Sequence, residues 1–184
     1  MKLKIYESPT PLPPEGPFSE KQLLKQSFLE MIRESKIRYF LTITLMFSTT
    51  SMKAKNNLDQ LVVNLNKNIY KQRYFDEKNY LNGLVAKEYT PQMKCDHFHI
   101  LLNENDEYNL PNHENMMKKI SKEIRYINRC SNGGKVSAFD LQEYFNNGDD
   151  ALEKYFLKMF DGFLNQNVCN DSIGILDHGG VLFG

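Results

Sequence analysis

Seven residues, Asp96-His97-Phe98-His99-Ile100-Leu101-Leu102, constrain this chain more than any others. The run is apolar apart from its first residue and its two histidines, and it reads as a β-strand. Side chains on a strand alternate faces. His97 and His99 therefore share one face, while Phe98, Ile100 and Leu102 share the other. Two imidazoles side by side on a rigid support are how a protein presents two nitrogen ligands to one metal ion.

The rest of the chain is long enough to build a core behind that strand. Its 184 residues suggest one domain with an extra arm, and 41% hydrophobic and 12% aromatic residues argue against disorder. No run approaches the roughly 18 apolar residues of a membrane helix. The start, MKLKIYESPTPLPP, lacks the apolar stretch of a secretory signal. Three cysteines, Cys95, Cys130 and Cys169, form no CxxC pair, so neither a zinc ribbon nor a disulfide framework is expected. A cytoplasmic location fits. With 23 basic and 23 acidic residues, the chain lacks the bulk charge of a nucleic-acid binder, so any such contact relies on local patches.

Periodicity orders the chain. Residues 8–17 hold five prolines and a glycine and read as an extended arm. Ser19 looks like an N-cap, with Leu23, Leu24, Phe28, Met31 and Ile32 at helical spacing over about 19–35. Tyr39 to Phe47 reads as a central strand, with Thr42 and Thr44 on one face and Leu41, Ile43 and Leu45 on the other. A helix is expected over 55–73, with Leu58, Leu61, Val62, Leu65 and Ile69 buried. Strands are expected at 83–90 and 96–103, a helix at 113–130, a strand at Lys135–Leu141 and a helix at about 150–164. The order β-α-β-β-α-β-α argues an α+β fold, an antiparallel-rich central sheet with helices packed on one side. The two middle strands form its hairpin. Three parts follow: an arm over 1–18, a domain over 19–164, and a glycine-rich tail over 165–184 whose structure the pattern leaves open.

Glu88 lies nine positions before His97, on the partner strand of that hairpin. An antiparallel hairpin can set a carboxylate beside two histidines one strand away. Two imidazoles and one carboxylate leave open positions on a divalent ion, Mg²⁺ or Mn²⁺ and also Zn²⁺. Asp96 is a rival third ligand that should face away from its neighbour His97. On the last expected helix, Tyr155 and Lys158 lie one turn apart, on a stripe with the small residues Ala151 and Gly162. A phenol is a weak nucleophile at its free pKa near 10. A polarised phosphate and a lysine that stabilises charge make its attack feasible. In isolation the same pair also reads as a half-buried tyrosine with a snorkelling lysine.

Three of these segments, in this order, resemble the motifs of the HUH endonuclease superfamily, the replication initiators of rolling-circle plasmids, phages and small single-stranded DNA viruses. Phe40-Leu41-Thr42-Ile43-Thr44 is similar to the first motif, a FLTxT-type strand. His97-Phe98-His99 is similar to the second, with Glu88 at the spacing of its acidic ligand. Tyr155-Phe156-Leu157-Lys158 is similar to the third, YxxK. The resemblance spans about residues 38–160.

It implies an HUH/RRM-like palm and a metal-dependent, site-specific nicking and joining enzyme for single-stranded DNA or an origin hairpin. His97, His99 and Glu88 would hold Mg²⁺ or Mn²⁺, and Tyr155 would attack the phosphodiester and remain on the 5′ phosphate. Lys158 would assist. The freed 3′ hydroxyl would prime rolling-circle replication. No second tyrosine stands at YxxxY spacing from Tyr155, so a single-tyrosine mechanism is implied. No GxxxxGK[ST] loop occurs here, so a helicase would be a separate partner.

Tyr126 and Tyr144 are the rival nucleophiles, while His113 reads as a helix-start residue and His178 as part of the tail. Lysine and arginine crowd 53–73 and 118–129, as solvated helix faces or phosphate contacts. The alternatives are a relaxase or a single-tyrosine transposase with the same chemistry, and a non-catalytic nucleic-acid-binding module. That module would need exposed stacking aromatics on the face that here carries Thr42, Thr44, His97 and His99.

Overall fold

A computed structural model describes residues 20–46, 49–90, 95–104, 108–130, 134–144 and 173–183. Four helices and six strands follow in the chain: α1 (Glu20–Glu34), β1 (Ile37–Leu45), α2 (Ser51–Tyr70), α3 (Gln72–Phe75), β2 (Gly83–Thr90), β3 (Cys95–Asn103), α4 (His113–Cys130), β4 (Val136–Glu143), β5 (Ile173–Asp177) and β6 (Gly180–Phe183). The strands make one sheet in the order β4-β1-β3-β2-β5-β6. Every neighbouring pair is antiparallel. The fold is α+β, as the element order predicts. No helix among the described residues is long and apolar enough to cross a membrane.

The period-2 pattern of β1 and β3 sets the layers. Tyr39, Leu41, Ile43 and Leu45 from β1 and Phe98, Ile100 and Leu102 from β3 are buried in one core. That core is closed by the apolar stripes of two helices, Leu58, Leu61, Val62, Leu65 and Ile69 from α2 and Met116, Ile120, Ile124 and Ile127 from α4. Each buried Leu or Ile removes apolar surface worth about 1.5–3 kcal/mol from water, so this layer holds most of the fold together.

The expectation of helices on one side holds for α2 and α4. Helix α1 takes the other face. Its Ile32 packs on Leu84, Ala86 and Leu101, joined by Phe28 and Phe40. Those sheet residues share the face of His97 and His99, because Leu84, Ala86 and Phe40 are ladder partners of Leu101, His99 and Leu101. One end of the histidine face is therefore roofed by α1.

Helix boundaries differ from the periodic reading for local reasons. Helix α2 starts at Ser51 rather than 55, because the Thr50 side chain caps it by accepting from the Lys53 amide. It stops at Tyr70, because Lys71 takes a left-handed φ of 53° and the chain restarts as α3. The glycine-rich segment whose structure the sequence left open is partly sheet. Ile173–Asp177 pairs with β2 and then with Gly180–Phe183. The expected helix at 150–164 lies outside the described residues.

Candidate metal centre

The hairpin of β2 and β3 positions the site. Its register places Glu88 opposite His97, and Ala86 opposite His99. On the other flank of β3, Thr44 lies opposite His97, and Thr42 opposite His99. Directly opposed residues project to the same face. Two histidines, two threonines and one carboxylate thus occupy one patch of the sheet, as alternation and the nine-residue spacing predict.

Each imidazole is held at its Nδ1 atom. His99 Nδ1 lies 3.2 Å from the Thr42 hydroxyl, and His97 Nδ1 lies 3.1 Å from the Thr44 hydroxyl. His99 Nε2 lies 3.1 Å from Glu88 Oε2. Ala86 ends at its methyl, which leaves the space through which Glu88 leans from its own partner toward His99. The Phe40 ring stacks on His99, with centroids 5.8 Å apart and planes 7° from parallel. His99 is buried by this packing, whereas the Glu88 side chain is 52% exposed. The patch therefore has a dry inner end and a wet outer end.

Burial lowers the His99 pKa below its ordinary 6.5, and this outweighs the opposing pull of Glu88. His99 is neutral at pH 7. A carboxylate carries no proton, so Nε2–H donates to Glu88. Nδ1 then carries the lone pair and accepts from the Thr42 hydroxyl.

The donor set suits a hard or borderline divalent ion. Adjacent ligands on an octahedral ion with bonds of about 2.1 Å stand about 3.0 Å apart. The 3.1 Å between His99 Nε2 and Glu88 Oε2 is that separation. No group of three His, Cys, Asp or Glu side chains among the described residues stands ready to hold an ion. Closing His97 onto the same ion therefore takes a side-chain movement, which its half-buried position permits.

Asp96 faces away from the histidines, as alternation requires. It is 2% exposed on the helix side of the sheet. There it accepts from the Ser51 hydroxyl at 3.1 Å and pairs with Lys87 Nζ at 3.7 Å. Lys87 Nζ also donates to Ser51 Oγ at 3.0 Å.

Tyr155 and Lys158 lie outside the described residues. Tyr144 packs against the apolar cluster under α1, and Tyr126 is exposed on α4, on the opposite side of the sheet from the histidines. His113 opens α4 and donates from Nε2 to the Leu141 carbonyl at 2.9 Å. His178 stacks on Tyr74 at 4.2 Å, far along the sheet at the β5–β6 turn. In the basic clusters, Lys55 and Lys118 form i,i+4 ion pairs with Asp59 and Glu114. Lys119 donates to the Asn68 carbonyl, and the Arg73 guanidinium lies over the Tyr108 ring.

Sequence reasoning placed Thr42 and Thr44 on this face and quoted Phe40 with them in the first motif, without giving any of the three a part in the site. Their signal was the shared i,i+2 alternation of two adjacent strands. Comparison with known proteins found no matching family model, no matching curated protein and no matching solved structure.

Proposed function

We propose that this protein is a metal-dependent endonuclease that nicks and rejoins single-stranded DNA through a tyrosine, as the resemblance to HUH replication initiators implies. One observation carries the reading. Glu88, His97 and His99 share one face of adjacent strands, with both imidazoles held at Nδ1 and the carboxylate at ligand separation from His99.

The chemistry assigns each residue a part. A bound Mg²⁺ or Mn²⁺ supplies Lewis-acid polarisation of the scissile phosphate. His97, His99 and Glu88 would hold it, His99 through Nε2 with its ring proton moved to Nδ1. The Tyr155 phenol oxygen attacks phosphorus and loses its proton as the bond to the 3′ oxygen breaks. The departing oxygen takes up a proton and becomes a 3′ hydroxyl, and the 5′ phosphate stays on Tyr155. Lys158 balances charge on the phosphate. Both ends of the segment that carries Tyr155 and Lys158 join the described sheet. Tyr144 follows β4 on one side of the histidine strand, and Ile173 starts β5 on the other.

The test is a labelled single-stranded DNA library incubated with the protein and Mn²⁺. A covalent protein–DNA adduct is expected, lost in Tyr155→Phe and retained in Tyr144→Phe and Tyr126→Phe. An adduct that survives Tyr155→Phe moves the nucleophile elsewhere. Absence of both adduct and Mn²⁺ binding in the unaltered protein favours a passive nucleic-acid-binding module. A relaxase or transposase shares the adduct and differs in the DNA it selects.

A further inference from the structure

We infer that Thr42 and Thr44 are positioning residues, whose hydroxyls hold the Nδ1 edge of the His99 and His97 rings so that Nε2 is the nitrogen each presents to a divalent ion. The inference rests on the metal reading above and deepens it.

The geometry singles out the hydroxyls. Both rings are bonded through the same atom, Nδ1, by the threonine directly opposite on β1, at 3.2 and 3.1 Å. Cross-strand partners on a paired ladder cannot drift apart without breaking the β1–β3 pairing, which runs from Ile37↔Asn103 to Thr44↔His97. The ladder therefore keeps each hydroxyl within reach of its own ring, and the bond to Nδ1 sets how that ring sits. Phe40 adds a second restraint on His99 by stacking on its plane.

A hydroxyl also suits both proton states of the site. With Glu88 holding His99 Nε2–H, Nδ1 needs a donor, and the Thr42 O–H supplies it. With Nε2 committed to an ion, the ring proton sits on Nδ1, which then needs an acceptor. The same oxygen accepts after a rotation about one bond. A backbone carbonyl could serve only the second state and an ammonium only the first. Partners of this kind are worth about 10–100-fold in metal affinity.

The experiment compares the unaltered protein with Thr42→Val, Thr44→Val, Thr42→Ser and Thr44→Ser. Valine keeps the β-branched shape that a strand favours and removes only the hydroxyl. Mn²⁺ affinity is titrated by electron paramagnetic resonance of the free ion. Imidazole ¹⁵N resonances are recorded without metal, and melting curves check folding. Each valine variant is expected to weaken Mn²⁺ binding about 10–100-fold, to move the Nδ1 signal of its own histidine, and to melt cooperatively. Each serine variant is expected to restore both signals. Valine variants that bind Mn²⁺ as the unaltered protein does overturn the proposal, as do serine variants no better than valine. If the unaltered protein binds no Mn²⁺, the metal reading itself falls. The Nδ1 signals then decide the hold on the rings separately, and unmoved signals in both valine variants overturn that as well.

Discussion

The Glu88 carboxylate bonds His99 at 3.1 Å, although the residue directly opposite it in the β2–β3 ladder is His97. Diagonal neighbours on a sheet stand about 7–8 Å apart, within reach of a long side chain. The methyl-sized Ala86 opposite His99 keeps that path open. The carboxylate thereby serves the buried imidazole and remains exposed enough to meet a ligand from solvent.

Glu88 and Asp96 are the two acidic residues near the histidines in sequence, and they should respond to mutation in opposite ways. Glu88→Gln is expected to weaken Mn²⁺ binding by at least about 10–100-fold with little loss of stability, because Glu88 is exposed. Asp96→Ala removes the acceptor of Ser51 and the partner of Lys87 on the core side of the sheet. It should cost roughly 1–3 kcal/mol of stability and leave the Mn²⁺ affinity within a fewfold. Urea unfolding and metal titration on both variants check the contrast. Loss of Mn²⁺ binding in the Asp96 variant alone would make Asp96 the third ligand.

The pH dependence of the metal-free protein follows from His99. Its folded pKa lies below 6.5 because burial disfavours the imidazolium. Between the folded value and 6.5 the unfolded chain binds more protons, so this group makes stability rise with pH. Its contribution is complete above about 6.5, declines as the pH falls through that window, and flattens below the folded pKa. Melting curves from pH 5 to 8 should show a shallower slope in His99→Gln than in the unaltered protein. In Glu88→Gln the midpoint of His99, read by NMR, should move lower still, because the carboxylate that favours the cation is gone.

Gly83 governs the start of the hairpin that carries Glu88. Its φ is 148°, and a Cβ there would stand 1.8 Å from the Leu101 carbonyl oxygen. Backbone cannot yield as a flexible side chain does. Gly83→Ala is expected to cost at least about 3 kcal/mol and to disturb the Glu88–His99 contact. Denaturant unfolding measures the first effect and the His99 ring signals the second. Near-native stability with unmoved His99 signals would mean that β2 can shift along β3 without consequence.

Tyr74 and His178 clasp the β5–β6 hairpin to the helical layer. The Tyr74 hydroxyl donates to the His178 carbonyl at 3.0 Å, His178 Nε2 donates to the Tyr74 carbonyl at 2.8 Å, and the rings stack at 4.2 Å. Asp59 adds a bond to the Val181 amide. Tyr74→Phe should cost about 0.5–1.5 kcal/mol, and His178→Ala about 2 kcal/mol from a lost bond and a lost ring pair. Hydrogen exchange should rise first at the amides of β5 and β6, with the β1–β3 amides unchanged. Uniform loss of protection across the sheet would contradict a local clasp.

The sequence by itself determined what is local. Alternation put His97 and His99 on one face and Phe98, Ile100 and Leu102 on the other. The apolar spacing of Leu58, Leu61, Val62, Leu65 and Ile69 marked the stripe that α2 buries, and the order of strands and helices marked the α+β class. Each of these patterns depends on a period of two or 3.6 residues within one segment. Only the tertiary structure decided the partners. Which threonine meets which histidine, and whether Glu88 reaches His97 or His99, depends on ladder register, where a slip of one residue would turn every side chain to the other face. The β5–β6 pair was hidden because Gly174, Gly179 and Gly180 weaken a strand signal. Those strands form because Gly174 and Ile175 pair with Val85 and Leu84 of β2, a contact between segments some 90 positions apart that no local period records. The placement of α1 on the histidine face has the same origin, since Ile32 packs on Leu84, Ala86 and Leu101, sheet residues that lie far from it in the chain.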